Sequence, residues 1–208
     1  MVELMAIRYS QQGVRATEDI DILANSRMRP SLTEKISVRL LDLDFELINQ
    51  TITGNRTTGF RFEKDGVMID VLGPDGLNES SPPKTIGSSE TVAIPGGTKA
   101  LNDVEKVEIK IDGTRSGTIN VPMLPAAIIL KACSIVKQDR DQDRQDLVVL
   151  LSCVRDPITI RAMFSRQELK HIRKAADPLE IESDDLLGIF PSGQLAEARA
   201  AFRLITAS

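Results

Sequence analysis

The hydrophobic pattern of the chain changes at Pro122, and this change constrains the fold more than any other feature. Before Pro122, short runs rich in β-branched residues are bounded by turn residues and predict strands. The predicted strands are residues 20–24, 57–62, 67–72, 91–94, 107–111 and 118–121. After Pro122, apolar residues recur at helical spacing. The predicted helices are residues 125–136, 144–154, 166–175 and 194–205, preceded near the N-terminus by 1–10 and 31–41.

These elements predict an α/β (α+β) fold, in which a mixed sheet with flanking helices is followed by a helical C-terminal half. We predict two domains, an α/β domain of residues 1–121 and a helical domain of residues 122–208. Asp65-Gly66 is a strong hairpin signal between two of the strands. Residues 73–90 collect Gly, Pro, Asn and Ser, which predicts a loop of low order.

The composition excludes several classes of function. The formal net charge is −4 and the pI is about 5.2, which argues against a broad nucleic-acid-binding surface. His171 is the sole histidine, so the chain lacks the residues for a multi-histidine metal site. No apolar stretch approaches the roughly 18 residues of a membrane span, and no signal-peptide pattern opens the chain, so we predict a cytoplasmic protein. Cys133 and Cys153 lie in apolar helical patterns, which predicts buried free thiols.

Three aspartates form the main candidate site. Asp19 and Asp21 alternate along a predicted strand, so they share one face with Cα atoms roughly 6 to 7 Å apart. Asp70 is the only charge in the apolar run 67–72, where an unpaired carboxylate would be costly and therefore needs a positive partner. If the two strands are adjacent, the three carboxylates could hold one or two Mg²⁺ ions together with substrate phosphates.

Each of these groups also has a plainer interpretation. Asp19 and Asp21 could simply be solvated at a strand end, and Asp70 could form a salt bridge with a nearby lysine or arginine. Lys131 interrupts an apolar helical run and must either reach solvent or meet an anion. Its structural partner would be Asp146 on the next helix, and the sequence leaves the functional and structural interpretations equally open.

Two further segments carry weaker signals. Residues 95–99, Pro-Gly-Gly-Thr-Lys, are reminiscent of a phosphate-binding loop but lack its spacing, so a turn is favoured. The helix after residue 165 begins with a capping box formed by Ser165 and Glu168. One face of that helix is basic, and we favour a solvated surface over an RNA-binding one. The basic residues on it are Arg166, Lys170, Arg173 and Lys174.

Three segments together resemble the AbiEii-type nucleotidyltransferases of the polymerase-β-like superfamily. They are residues 15–23 (RATEDIDIL), 67–72 (VMIDVL) and 140–147 (RDQDRQDL). The family pattern combines a glycine turn, an Asp-x-Asp strand, a third Asp on a later strand, a helical lysine and an Arg-x-Lys-Asp-x-x-Asp-Leu stretch. Gln142 departs from this pattern, since the family usually has lysine there, and Ile128 stands where an aspartate often precedes the helical lysine.

The resemblance implies an enzyme that transfers a nucleoside monophosphate from an NTP to a hydroxyl acceptor such as a tRNA. It implies that the catalytic and Mg²⁺-binding residues are Asp19, Asp21 and Asp70. It further implies contacts with the nucleotide or acceptor from Thr17, Lys131 and Asp146.

The same resemblance implies a toxin of a toxin–antitoxin system, with a cognate antitoxin as its protein partner. Alternatives are a catalytically inactive binding module of the same fold and a nucleotidyltransferase that modifies a small molecule such as an antibiotic. Residues 1–6 look like the helix that follows the family's glycine turn. We therefore expect that the true start lies upstream or that the gene is degenerate.

Overall fold

The structure is a computed structural model that describes residues 1–11, 19–48, 50–78, 82–110, 113–138, 141–180 and 190–207. Its helices are α1 (Val2–Tyr9), α2 (Leu32–Leu41), α3 (Gly97–Asn102), α4 (Leu124–Gln138), α5 (Asp141–Ser152), α6 (Pro157–Ala162), α7 (Arg166–Glu180) and α8 (Ser192–Thr206). Its strands are β1 (Asp19–Leu23), β2 (Glu46–Ile48), β3 (Thr51–Thr53), β4 (Arg56–Thr58), β5 (Arg61–Lys64), β6 (Val67–Pro74), β7 (Ser89–Glu90), β8 (Ala93–Ile94), β9 (Val104–Lys110) and β10 (Ser116–Pro122). The fold is mixed α/β with a helical C-terminal half, which confirms the predicted class.

Close backbone contacts divide the chain into two compact units. The sheet unit is Thr17–Leu101, and the helical unit combines Met1–Ala16 with Asn102–Ser208. This division differs from the predicted boundary after residue 121. The reason is that α1 packs on α5, and that β10, which pairs with β9, leads into α4 and contacts it.

The main sheet of the sheet unit has the strand order β1-β6-β5-β2 in the part of the chain that the structure describes. Strand β1 runs parallel to β6, whereas β5 runs antiparallel to both β6 and β2. The short strand β8 continues the sheet beside the end of β6. One face of this sheet packs against α2 and builds a core around four buried residues, Leu40, Phe62, Ile69 and Val71.

The turn between β5 and β6 follows from two residues. Asp65 has φ +52° and Gly66 has φ +81°, and two positive φ angles in succession define the type I′ turn that joins twisted antiparallel strands. Lys64 pairs with Val67 immediately on either side of the turn. The Asp-Gly hairpin prediction is confirmed, and the turn fixes the register of everything farther along the two strands.

The prediction that residues 73–90 form a loop of low order is partly wrong. Strand β6 continues to Pro74, and β7 pairs with β4 at residues 89 and 90. Between them, Thr85 is fully buried and its hydroxyl donates a hydrogen bond to the carbonyl oxygen of Gly59. The Thr85 hydroxyl therefore satisfies a backbone group instead of facing water, which composition does not reveal.

The helical unit is organised around α5. Residues 147–151 of this helix are at most 2% exposed, because α1, α4, α7 and α8 all pack against it. A helix that is apolar on every side is stable only when it is surrounded. The capping box at the start of α7 is confirmed, since Ser165 N–H donates to Glu168 Oε2 at 2.7 Å and Glu168 N–H donates to Ser165 Oγ at 3.2 Å.

Among the described residues, none of the helices has both the length and the apolar character needed to cross a membrane.

Candidate functional site

The pairing of β1 with β6 places the three predicted aspartates on one face of the sheet. Asp21 stands opposite Asp70 in the parallel register, and Asp19 stands opposite Met68. Because side chains two residues apart share a face, Asp19 lies on the same face as Asp21 and Asp70. The adjacency of the two strands, on which the candidate site depends, is therefore present in the structure.

On the opposite face of β6 the residues are apolar and buried, and their burial favours this arrangement of the strands. Ile69 and Val71 flank Asp70 in sequence and point into the core beside α2. Strand β6 is an interior strand, with β1 on one side and β5 on the other. Asp70 is consequently only 6% exposed, whereas Asp21 on the edge strand β1 is exposed and Asp19 is half-buried.

Asp70 is paired with Arg61. Both carboxylate oxygens accept hydrogen bonds from the guanidinium, from Nε at 2.7 Å to Oδ1 and from a terminal nitrogen at 2.6 Å to Oδ2. This two-point arrangement is the strongest geometry available to a carboxylate and an arginine. The hydrogen bonds to Asp70 raise the pKa of Arg61, although burial opposes them, and attraction from Asp70, Asp19 and Asp21 adds to the rise.

Sequence reasoning did not name Arg61, although the hairpin contained the signal. Arg61 and Asp70 each lie four residues from the Asp65-Gly66 turn, so a two-residue turn pairs them directly. The general expectation that Asp70 needs a positive partner is met, and the partner is the arginine that the plainer interpretation of this residue required.

The three carboxylates as described do not fit a metal ion. Oxygen is the donor that Mg²⁺ prefers, and the aspartates share a face. However, Arg61 engages both oxygens of Asp70. Within the described ranges, no group of three or more His, Cys, Asp or Glu side chains is placed to hold a metal ion. The arrangement is a carboxylate cluster neutralised in part by a guanidinium.

The remaining site residues that the resemblance implies are Thr17, Lys131 and Asp146. Thr17 lies outside the described residues. Lys131 on α4 and Asp146 on α5 belong to the helical unit, where they form a salt bridge with Nζ and Oδ2 2.7 Å apart. The structural partner proposed for Lys131 from sequence is thus confirmed.

Asp143 completes a second charged cluster that sequence reasoning did not single out. Its Oδ1 lies 2.9 Å from Lys131 Nζ, and its Oδ2 accepts a hydrogen bond from Ser134 Oγ at 2.7 Å. Asp143 and Asp146 are three residues apart on α5 and therefore face α4 together. That spacing is the signal that could have identified Asp143.

Two opposing effects act on the pKa of Lys131 in this cluster. Burial lowers the pKa of Lys131, but attraction from Asp146 and then Asp143, with hydrogen bonds to both, outweighs burial and raises the pKa overall. Lys131 is 20% exposed, and the two aspartates are 10% and 11% exposed. Lys131 therefore remains charged inside the helical unit, as the counter-ion of two carboxylates.

The segment Pro-Gly-Gly-Thr-Lys at residues 95–99 already has an anion of the protein beside it. Thr98 N–H at the start of α3 donates to a carboxylate oxygen of Asp75 at 2.7 Å. Burial raises the pKa of Asp75, but hydrogen bonds led by those from Thr98 outweigh it and hold the pKa below its ordinary 3.8. A side chain at Gly97 would come within 2.9 Å of Pro74 Cα, so close packing accounts for that glycine. The favoured interpretation as a turn holds for Pro95 and Gly96, whereas residues 97–99 already belong to α3.

The basic face of α7 is partly structural. Arg173 donates two hydrogen bonds to the carbonyl oxygen of Thr206, from Nε at 3.0 Å and from a terminal nitrogen at 2.7 Å. Thr206 is the last residue of α8, where carbonyl groups lack partners within the helix. A cation is favourable at that end because of the helix dipole. Arg173 therefore joins two helices, and the interpretation of the rest of this face as a solvated surface stays a prediction.

Cys133 and Cys153 are buried and form no disulfide, as predicted. Burial raises the pKa of Cys153 to about 11, against a smaller opposing effect of Arg155.

Comparison with protein families and with curated proteins assigns no role to these clusters. No protein-family model matches the chain, and no curated protein matches its sequence.

Proposed function

We propose that this protein is a nucleotidyltransferase of the polymerase-β-like type, which moves a nucleoside monophosphate from an NTP to a hydroxyl acceptor. One observation carries the proposal. The parallel register of β1 and β6 aligns Asp21 with Asp70 and puts Asp19 on the same face. A resemblance in short motifs predicts that arrangement, and an unrelated strand order would have separated these residues.

The proposed reaction forms a bond between the acceptor oxygen and the α-phosphorus of the NTP, and it breaks the bond to the pyrophosphate. Mg²⁺ is the cofactor that the resemblance implies and would supply positive charge to the phosphates, but it does not fit the carboxylates while Arg61 engages both oxygens of Asp70. The chain's own contribution is a carboxylate-rich sheet face beside a guanidinium, which is suited to two-point contact with phosphate oxygens. The NTP substrate makes the cytoplasm the proposed location, with RNA such as tRNA as the proposed acceptor and an antitoxin as the proposed partner.

The Arg61–Asp70 pair favours a second candidate from a different class. A carboxylate whose two oxygens are both hydrogen-bonded to arginine is satisfied without any cation. A catalytically inactive module of the same fold would keep this pair as a structural salt bridge and would bind an antitoxin or RNA through other surfaces.

Transfer of radioactive label distinguishes the two candidates. The protein is incubated with Mg²⁺, each α-³²P-NTP in turn, and either total RNA or an aminoglycoside as acceptor. The enzyme proposal predicts labelled product that disappears with Asp19→Asn. The matched control is Asp65→Asn, because Asp65 is exposed in the hairpin turn of the same unit and asparagine tolerates its positive φ.

Calorimetry completes the comparison. The enzyme proposal predicts that NTP binds in the presence of Mg²⁺, and the inactive module predicts no Mg²⁺-dependent nucleotide binding. Transfer that persists at the wild-type rate in Asp19→Asn would contradict the assignment of the aspartates even if the protein proved to be an enzyme.

A further inference from the structure

Strand β9 in the helical unit has one edge without a strand partner among the described residues. It pairs with β10 over seven residues, and these two strands form a sheet of their own. A sheet of two strands is only marginally stable, and the open edge of a long strand presents backbone N–H and C=O groups to which another strand can bind. Strand β10 is less open, because it contacts α4. A further strand would therefore add to β9.

The side chains of β9 alternate between two faces. Val107 packs against the core of the helical unit, and Glu105 on the same face forms a salt bridge with Arg8 of α1. The other face of the strand is exposed. The residues on this outer face are Val104, Lys106, Glu108 and Lys110.

Two opposite charges on the outer face lack a counter-charge of the same chain. Lys106 stands opposite Asn120 and Glu108 stands opposite Thr118 in the pairing with β10, and neither of these partners is charged. Within the described ranges, neither Lys106 nor Glu108 forms an ion pair. The outer face of β9 therefore offers one cation and one anion, two residues apart, beside an open strand edge.

The order of these charges selects one way of pairing β9 with a second copy of itself. When two antiparallel copies are related by a two-fold axis, residues at equal distances from the axis stand opposite each other. An axis at Val107, the middle residue of β9, pairs the full strand and sets Lys106 against Glu108 of the second copy. An axis at Lys106 or at Glu108 would set that residue against its own copy. Opposite charges across a sheet stabilise it and like charges destabilise it, so the register about Val107 is favoured.

Strand β1 shows the opposite charge pattern at a sheet edge. It is the last strand of the main sheet in the described part of the chain, and both of its charged residues, Asp19 and Asp21, are acidic. Pairing of β1 with its own copy about the middle residue, Asp21, would set two carboxylates against each other. Like charges protect an edge from self-pairing, and β9 lacks that protection.

We propose that β9 is a self-association site, at which two copies of this chain join through β9 about a two-fold axis at Val107 and form a sheet with the order β10-β9-β9-β10. The charge pattern of the strand identifies the occupant as a second copy, because Lys106 and Glu108 are complementary to each other across the axis. The contact occurs twice, since both copies use the same surface. This proposal is independent of the proposed nucleotidyltransferase activity.

Single charge reversals should weaken the association. Lys106→Glu places carboxylates opposite each other at both contacts, and Glu108→Lys places ammonium groups opposite each other. Each variant should associate roughly tenfold more weakly than the wild-type protein, because two attractive pairs become repulsive. The double variant Lys106→Glu/Glu108→Lys restores opposite charges at both contacts and should associate about as strongly as the wild-type protein.

Mixtures of variants test the register directly. Lys106→Glu mixed with Glu108→Lys should form a heterodimer, because each contact then joins a carboxylate to an ammonium group. The wild-type protein and the double variant should each form homodimers but should not exchange subunits, because both contacts in a mixed dimer would join like charges. Damage to the fold by a substitution would not be repaired by mixing two damaged proteins.

The matched control is Lys137→Glu. Lys137 is exposed on α4 in the same unit, and its reversal changes the net charge by the same amount as Lys106→Glu. A general effect of charge on association would appear in both variants. Pairing through β9 predicts that Lys137→Glu associates as strongly as the wild-type protein.

The test is sedimentation velocity of each folded protein over a wide range of concentration, with energy transfer between differently labelled copies for the mixtures. The proposal predicts a wild-type dimer, weaker association of both single variants and recovery in the double variant and in the mixture of singles. A wild-type protein that stays monomeric leaves the edge to a strand of another protein and overturns the proposal. Unchanged association of the single variants, or no recovery on mixing them, also overturns it. Should a single variant fail to fold, the mixture of wild-type protein and double variant decides: separate homodimers support the proposal, and free exchange of subunits refutes it.

Discussion

Asp21 and Asp70 stand opposite one another on adjacent parallel strands, with Arg61 opposite Asp70 on the other side. Like charges directly across a sheet repel each other, and the guanidinium of Arg61 offsets the charge of Asp70 in this row. In this row, Asp21 is exposed on the edge strand, Asp70 is buried on the interior strand, and Arg61 is partly exposed. It links the fold of the sheet unit to the chemistry proposed for it.

We predict that Asp70→Asn destabilises the protein by about 2 kcal/mol, because the buried guanidinium contact loses its charged acceptor. Equilibrium unfolding in urea measures the loss. The control is Asp42→Asn, since Asp42 pairs with Arg39 at 3.7 Å on the surface and its loss should change stability by less than about 0.5 kcal/mol. Equal costs for the two variants would contradict a structural role of the Arg61–Asp70 pair.

Lys131→Met should destabilise the helical unit by roughly 3 kcal/mol, because two shielded carboxylates are left without their common counter-ion. Thermal and urea unfolding measure the effect. Lys137→Met on the exposed part of the same helix is the control and should be nearly neutral. Adding Asp143→Asn and Asp146→Asn to Lys131→Met should restore part of the stability, and a triple variant less stable than Lys131→Met would argue against charge as the cause.

The contribution of Asp75 should depend on pH in a defined direction. Its pKa is lower in the folded protein than the ordinary 3.8, so the stabilisation is complete above that value and is lost as pH falls through the lower folded pKa. Asp75→Asn should therefore cost about 1 kcal/mol between pH 5 and 7, comparable to the loss of a helix cap. Unfolding measured from pH 7 to pH 3 should show the two proteins converging in acid, and a gap that widens there would reverse the assignment.

Cys153 should be nearly inert towards thiol reagents in the folded protein. A pKa of about 11 leaves roughly one thiol in a thousand ionised at pH 8, and the side chain is buried. Cys133→Ala makes Cys153 the sole thiol, and its reaction with a disulfide reagent can be followed before and after urea is added. Rapid reaction without urea would contradict the burial of this residue.

Local patterns predicted much of the architecture. The Asp-Gly turn, the capping box at Ser165 and the apolar period of α4 and α5 each depend on residues close in sequence, and all are present. The pairing of Lys131 with Asp146 was also predictable, because the two stand on consecutive helices.

Long-range packing decided the rest. The predicted boundary after residue 121 differs from the compact units because the N-terminal helix α1 packs on α5, far away in sequence. Composition predicted low order around Thr85, yet its hydroxyl contacts the carbonyl of Gly59 across 26 positions. No local pattern encodes either contact.

By itself, the sequence determined that three aspartates lie in strands and that a charge as isolated as Asp70 requires a positive partner, because spacing and desolvation are properties of the local chain. Only the tertiary structure decided that β1 pairs with β6 in a register that sets Asp21 beside Asp70, and that Arg61 engages both oxygens of Asp70. The physical reason is that strands far apart in sequence pair in the arrangement that buries the apolar face of the whole sheet. The positions of individual charges follow from that choice.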